Sequence, residues 1–292
     1  MTQYARRAIN ITINRGKDAS GKPAGPDLKL SGLRAHALIQ QYGGGQQGVM
    51  QLQVFGLPLS TINDLTRYGQ ILNQIGENSI LLAAGDVGGA MSTAYTGVIQ
   101  TSVGDFQAMP DVPMNFLAFS ALTDAIRPVP GSSYRGAVDV ATIMADLAKQ
   151  MSPQPQGLAF DNHGVSVMLS NPHLKGTLLD QVKSMALAAN INFSIENGTL
   201  VIWPRIGHRR EDPILVSPET GMVGYPTFGG GQGLIVSALY MPTVHLGSRI
   251  EVRSSITPAC GIWTVYSVTH DLQSETPNGR WFTQLMCFPA PQ

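Results

Sequence analysis

Thr177-Leu-Leu-Asp-Gln-Val-Lys-Ser-Met-Ala-Leu-Ala-Ala-Asn-Ile-Asn-Phe-Ser-Ile-Glu-Asn-Gly-Thr-Leu-Val-Ile-Trp203 is the stretch on which the reading of the fold turns. Its hydrophobic period changes from helical to alternating part-way along. Leu179, Val182, Ala186 and Ala189 recur at helical spacing, and Thr177 with Asp180 has the form of a capping box, Asp standing in place of Glu. From Ile191 the apolar positions alternate through Phe193 and Ile195. A turn follows at Glu196-Asn197-Gly198, and Leu200, Ile202 and Trp203 return. A helix and then a hairpin are predicted.

The preceding residues repeat that order. Val138, Ala141, Met144, Leu147 and Met151 predict a helix, and Leu158-Ala-Phe160, the turn Asp161-Asn-His-Gly164 and Val165, Val167 and Leu169 predict a hairpin. Residues 138–203 therefore read as helix–hairpin twice over, a small α/β module with weak internal duplication. On both sides the chain reads as β. Upstream, Met50, Leu52 and Val54 alternate, as do Tyr95, Gly97 and Ile99, and Ser79–Ala84 is a short apolar run. Ser60-Thr-Ile-Asn-Asp-Leu-Thr-Arg-Tyr68 predicts one short helix with Ser60 as its N-cap, and Arg15 to Pro26 a polar loop. Val112, Met114, Phe116 and Ala118 suggest a further strand. Downstream, strands are predicted at Leu234–Ala238, Ile250–Val252, Ile262–Val268 and Trp281–Phe288, with a turn at Thr276-Pro-Asn-Gly279. The expected fold class is α+β, mainly β: β domains at 1–110 and 206–292 flank an α/β insert at 111–205.

Composition narrows the function. The 292 residues carry 19 basic and 19 acidic side chains, and only 13% are charged, about half the usual share. A neutral, sparsely charged chain lacks the Lys and Arg clusters of a dedicated nucleic-acid or anionic-membrane binder, and it favours self-association. No apolar run approaches the roughly 18 residues of a membrane span. No signal peptide is expected from Met1 to Asn10, so synthesis and assembly in a cytoplasm follow. Cys260 and Cys287 stand outside any CxxC or Cys/His cluster, so no zinc site is expected; both read as buried apolar residues, with a disulfide between neighbouring strands as the alternative.

Catalytic patterns are absent: no GxSxG elbow, no HExxH, no Walker loop. Gly43-Gly-Gly45 and Gly229-Gly-Gly-Gln-Gly233 read as flexible loops or close contacts rather than phosphate cradles. No two of His36, His163, His173, His208, His245 and His270 lie within four residues of each other. His270-Asp271 is the one pair eligible as an oriented base, and its plainer reading is a strand end. Asp86 reads as a turn residue. His208, Arg209-Arg210 and Glu211-Asp212 form a charge cluster, read as a linker or inter-subunit polar patch. No catalytic, cofactor-binding or metal residue is assigned, no cofactor is expected, and the residues of any binding surface stay unassigned.

Three C-terminal phrases resemble the baseplate hub proteins of contractile-tailed phages: Gly247-Ser-Arg-Ile-Glu-Val-Arg-Ser254, Gly261-Ile-Trp-Thr-Val-Tyr-Ser-Val-Thr-His-Asp271 and Trp281-Phe-Thr-Gln-Leu-Met-Cys287. Upstream, Met50-Gln-Leu-Gln-Val-Phe-Gly56, Ser60-Thr-Ile-Asn-Asp-Leu-Thr-Arg67 and Tyr95-Thr-Gly-Val-Ile99 are similar to that family's first barrel, and 138–203 to its insert. The resemblance implies two tail-tube-like β-barrels per subunit and a homotrimer. Such a hub joins a hexameric tail tube protein to a trimeric central spike protein, inside the virion tail baseplate. It also implies contacts with other baseplate proteins and the tape measure protein, genomic DNA as transient cargo, and no catalysis. The alternatives are a tail-associated peptidoglycan hydrolase or peptidase, the hub of a type VI secretion or tailocin device, and a carbohydrate-binding β protein. The last would display aromatic platforms, whereas Trp203, Trp263 and Trp281 all sit in strand patterns.

Overall fold

The computed structural model describes residues 6–16, 25–66, 78–153, 156–229 and 233–290. Most of the 15–26 loop, the end of the 60–68 helix and Gly230 to Gln232 lie outside them. The chain divides into two compact units: residues 1–40, 48–122 and 269–282, and residues 41–47, 123–268 and 283–292.

Alternation along the N-terminal part produces β1 (Arg7–Ile13), β2 (Leu28–Leu30), β3 (Ala35–Tyr42), β4 (Val49–Phe55), α1 (Leu59–Leu65), β5 (Ser79–Asp86), β6 (Met91–Gly104) and β7 (Pro113–Phe119). After α2 (Leu122–Ile126) come β8 (Ser132–Ser133), β9 (Ala137–Asp139), α3 (Val140–Gln150), β10 (Ala159–Asn162), β11 (Met168–Ser170) and β12 (His173–Leu174). Then follow α4 (Leu178–Ala188), β13 (Ile191–Glu196), β14 (Thr199–Pro204), β15 (Ile214–Val216), β16 (Thr227–Phe228), β17 (Leu234–Leu239), β18 (Arg249–Val252), β19 (Gly261–Ser274) and β20 (Trp281–Pro289).

In the first unit the hydrogen-bonded order is β19–β3–β4–β7–β6–β5–β1–β2, with antiparallel registers from β3 to β2. Among the described residues no backbone pairing leads from β2 back to the other end, so this sheet is not a closed barrel. Side chains span where a ladder would: Arg6 pairs with Glu275 at 2.5 Å, and the Arg7 guanidinium lies 5.6 Å from the Trp281 ring centre. One face is core. Ile11, Ile39, Leu52, Leu82 and Phe116 are buried there, each contributing about 1.5–3 kcal/mol of hydrophobic free energy. The opposite face is set by the same registers. One row runs His36, Gln53, Asn115, Val103 and another Leu38, Gln51, Leu117, Thr101; Thr12 opposes Leu81, which opposes Thr96. Helix α1 begins one residue before the predicted cap. Pro58, in extended conformation, takes the N-cap place without a side-chain bond, and Ser60 falls in the first turn.

The second unit contains the helix-to-hairpin change predicted over 177–203. Thr177 Oγ1 accepts from Asp180 N–H and Asp180 Oδ2 accepts from Thr177 N–H, both at 3.1 Å, which completes the predicted capping box. β13 and β14 pair antiparallel around Asn197 (φ 47°) and Gly198 (φ 77°). The first predicted hairpin does not form. β10 instead lies parallel to β14, while β11 pairs with β9, so Leu158-Ala-Phe160 and Leu169 belong to different sheets. Alternation specifies a strand but not its partner, and here the non-local partner wins. Asp139, whose side chain accepts from Ala141 N–H at 3.1 Å, caps α3.

The C-terminal strands of this unit order as β16–β17–β20–β19, with β18 antiparallel on the start of β19 and β15 parallel on β18. Their core holds Trp203, Val236, Ile250, Trp263 and Leu285. Trp281 is buried in the first unit, so all three tryptophans face interiors.

Candidate functional site

His270-Asp271 is not a strand end. β19 continues to Ser274, and alternation separates the two side chains: His270 is buried, while Asp271 stands on the other face. Asp271 is saturated there by His36 Nε2 at 2.8 Å and Arg280 Nη1 at 2.9 Å. No base oriented by its neighbour results. Asp86 closes β5 in an ion pair with Arg7.

A hydroxyl–imidazole pair not foreseen from sequence joins Ser133 Oγ and His173 Nδ1 at 2.7 Å across β8 and β12. It is exposed, and among the described residues no carboxylate pairs with that ring. The orienting third group of a nucleophilic triad is therefore missing.

The predicted charge cluster at 208–212 becomes the chief polar constellation of the second unit. Arg209, 4% exposed, forms an ion pair with Glu196, 5% exposed, at the end of β13. Its Nε donates to Leu246 O at 2.6 Å, its backbone N–H to Gly247 O at 2.8 Å, and its guanidinium lies 5.3 Å from the Trp203 ring centre. His245 Nδ1 stands 3.6 Å from the second oxygen of Glu196. Nearby, Arg210 N–H donates to His163 Nδ1 at 3.0 Å, which places the ring proton on Nε2, 3.2 Å from Asp161 Oδ2 and 3.8 Å from Glu211 Oε1. Arg249 donates to Glu211 O at 2.7 Å. Arg209, Glu196 and Glu211 are thus held inside the unit as a clasp on the β13–β14 hairpin, while Arg210 and Asp212 stand exposed.

Two further groups are shifted by burial. The Asp124 carboxyl, 4% exposed, is pushed up to about 6 by desolvation, against the opposing pull of Ser152 N–H at 3.0 and 3.1 Å and of Arg127. Burial pushes the Cys287 thiol up to about 12. Cys287 and Cys260 are both free, and Cys260, expected to be buried, is exposed, its Sγ 3.1 Å from Ser254 O. Among the described residues no group of three His, Cys, Asp or Glu side chains is placed to hold a metal ion. Among the described residues no helix is long and apolar enough to cross a membrane. A pocket of about 240 Å³ in the first unit is lined by Ile13, Arg15, Asp64, Leu65, Ser102 and Phe116 among others.

Comparison with curated proteins finds no sequence match. The family described as baseplate hub gp41 matches residues 62–287. The chain belongs to that family. This hub is a structural protein of a bacteriophage tail.

Solved structures share its fold at low sequence identity. A tail protein from Neisseria meningitidis MC58 superimposes with a TM-score of 0.64 at 10% identity, covering 96% of each chain. The 43 kDa tail protein of prophage MuSo2 from Shewanella oneidensis gives 0.60 at 10% identity, covering 96% of the hub and 97% of that chain. A type VI secretion component of Escherichia coli, described as structurally similar to the T4 tail proteins gp27 and gp5, gives 0.59 at 11% identity, covering 89% and 74%. The polar residues of the hub that sequence reasoning missed are those paired beyond their own strand or turn. Glu196 carries no local signal beyond its place at a hairpin turn, and its partner lies 13 residues on.

Proposed function

We propose that three copies of this hub form a ring joining the hexameric tail tube to the trimeric central spike. In this reading each copy supplies two tube-like domains, so that three present six to the tube. The ring is assembled in the host cytoplasm, meets other baseplate proteins and the tape measure protein, passes genomic DNA during ejection, and performs no catalysis.

One observation carries the self-association. The segment Gly221–Phe228 lies along β17 as the outer edge of its sheet: Val223 N–H donates to Ser237 O and Leu239 N–H to Gly221 O, both at 2.8 Å, and Phe228 pairs with Leu234. That edge exposes Val223, Tyr225, Phe228 and Leu239 by 41, 69, 49 and 43%. From Thr220 through Ser248 the sequence has no Asp, Glu, Lys or Arg. Free-standing proteins guard such edges with charge, and an apolar unguarded edge is a template for a partner.

Light scattering across a range of concentrations tests the proposal. A mass near three chains is expected, falling when Tyr225→Lys places a charge on the edge. A wild-type monomer at every concentration, alone and with its spike, would overturn the trimer. A second reading, the hub of an injection device related to type VI secretion, is supported by the fold likeness to the Escherichia coli component. Neighbouring genes for capsid and terminase, or for a secretion sheath without them, separate the two.

A further inference from the structure

Three large apolar side chains are more than 70% exposed among the described residues: Met109 at 73%, Leu187 at 84% and Ile206 at 82%. Single exposed apolar residues are ordinary on a protein surface, so their neighbours decide whether they carry meaning. These three fall into two patches whose charged neighbours have opposite sign.

Met109 stands on the connection from β6 to β7 in the first unit, with other exposed apolar groups beside it. Phe106 is 49% exposed there. A Cβ on Gly104 would lie 3.2 Å from the Phe106 ring and 2.7 Å from Ile62 of α1, so that ring lies beside the helix. Leu59, 59% exposed, is one turn before Ile62. Asp105 and Asp111 bracket Phe106 and Met109, and both are exposed. Asp105 accepts from Gln107 N–H at 3.0 Å, and Arg34 reaches Asp111 at 3.1 Å. Two carboxylates against one guanidinium leave this rim net negative.

Leu187 and Ile206 belong to the second unit, and their charged neighbours are basic. Leu187 lies in the last turn of α4 with exposed Lys183 one turn behind it, while Asp180, a further turn back, is engaged by Thr177 N–H. Ile206 follows exposed Arg205 just past the end of β14. Asn190 N–H donates to Leu187 O at 3.2 Å, and Asn192 Nδ2 donates to Pro204 O and Arg205 O at 3.3 and 3.2 Å. Both apolar side chains are thereby gathered around the start of β13.

We infer that the two patches are the two halves of a contact between copies of this chain. Leu59, Phe106 and Met109 of one copy meet Leu187 and Ile206 of the next, and the carboxylates of the first patch face Lys183 and Arg205. Apolar centres with rims of opposite charge complement each other in both respects. A second copy is the partner because each patch has its complement on this same chain. Unlike patches make a heterologous contact, which a ring of three requires; a patch that meets itself yields a dimer. The inference rests on the trimer of the proposed function.

The purified full chain tests it, alone or on its spike, whichever gives the wild-type trimer. Lys183→Glu with Arg205→Glu should raise the concentration of half-assembly about tenfold by light scattering, with melting unchanged. Met109→Cys with Ile206→Cys, in a Cys260→Ser chain that lacks the exposed native thiol, should form disulfide-linked dimers and trimers on mild oxidation. Neither cysteine alone should do so. A wild-type trimer that the glutamates do not weaken and the cysteines do not link would overturn the inference. So would an unchanged trimer with loss of tail assembly in the glutamate pair, which would give the patch to another tail protein. Should the glutamate pair fail to fold, the cysteine pair decides. A wild type that stays monomeric alone and with its spike overturns the trimer and this contact with it, whereas an intact trimer without links overturns the contact only.

Discussion

The guanidinium of Arg209 and the carboxylate of Glu196 meet inside the second unit with each side chain at most 5% exposed. Taking two ions out of water costs several kcal/mol apiece, and only their mutual contact and added hydrogen bonds offset that. Arg209 supplies those bonds to Leu246 and Gly247, and so fastens the β13–β14 hairpin to the loop before β18. Arg209→Met should destabilise the protein by about 3–5 kcal/mol, because Glu196 is left charged and buried. Arg209→Met with Glu196→Met should recover much of that loss. Urea melts of the singles and the double check this, and a double no more stable than Arg209→Met would refute the pairing energetics.

Gly247 sits where the same loop meets Trp203. Its φ is 81°, and a Cβ there would lie 2.7 Å from Trp203 Cε2 and 3.0 Å from Cζ2. Both the backbone and the indole oppose a side chain, and the indole is 5% exposed with no room to retreat. Gly247→Ala should cost on the order of 2–3 kcal/mol from strain and overpacking together. A lowered melting temperature with altered tryptophan emission is expected, whereas an unchanged melt would place the loop elsewhere.

The local elements were largely legible, and their partners were not. The capping box at Thr177 and Asp180, the turn at Asn197-Gly198 and the alternation of Met50, Leu52 and Val54 are each written within a few residues, so period and turn chemistry suffice to read them. The same alternation predicts a strand at Leu158-Ala-Phe160 but gives no sign that it runs parallel to β14, because pairing is decided by a segment some 40 residues away. Likewise, His270-Asp271 looks like an oriented base when adjacency is read as proximity. In a strand, neighbours point to opposite faces, and Asp271 finds His36, 235 residues distant. The polar clasp was half legible: Arg209 and Glu211 announce charge, but Glu196 and His163 join only through the fold. Cys260 departs from the expected burial because it lies on the exposed approach to β19, a placement that its apolar character alone does not reveal.

Gly198 tests the hairpin by itself. With φ at 77° and nothing within 4 Å of a Cβ, only backbone conformation limits the position. Gly198→Val should destabilise by about 1–2 kcal/mol, the cost of a left-handed conformation for a side-chain-bearing residue. Gly198→Asn, which tolerates that region, should cost clearly less. Equal melts for both variants would mean that the turn relaxes to another type.

Asp124 should make stability depend on pH in the direction opposite to a salt-bridged carboxylate. Its ordinary value of 3.8 is raised to about 6 in the folded chain by burial, so between those two values the folded protein holds a proton that the unfolded chain has lost. Stability then falls as pH rises through that window, by about 2–3 kcal/mol if the shift is fully expressed, and is level above it. Asp124→Asn cannot ionise, keeps an oxygen to accept from Ser152 N–H, and removes the slope. Melting temperatures from pH 4 to 7 should therefore decline for wild type relative to Asp124→Asn, and the variant should be the more stable at neutral pH. A wild-type profile parallel to that of the variant would show that Asp124 stays ionised in its site, with the Ser152 hydrogen bonds and Arg127 outweighing desolvation.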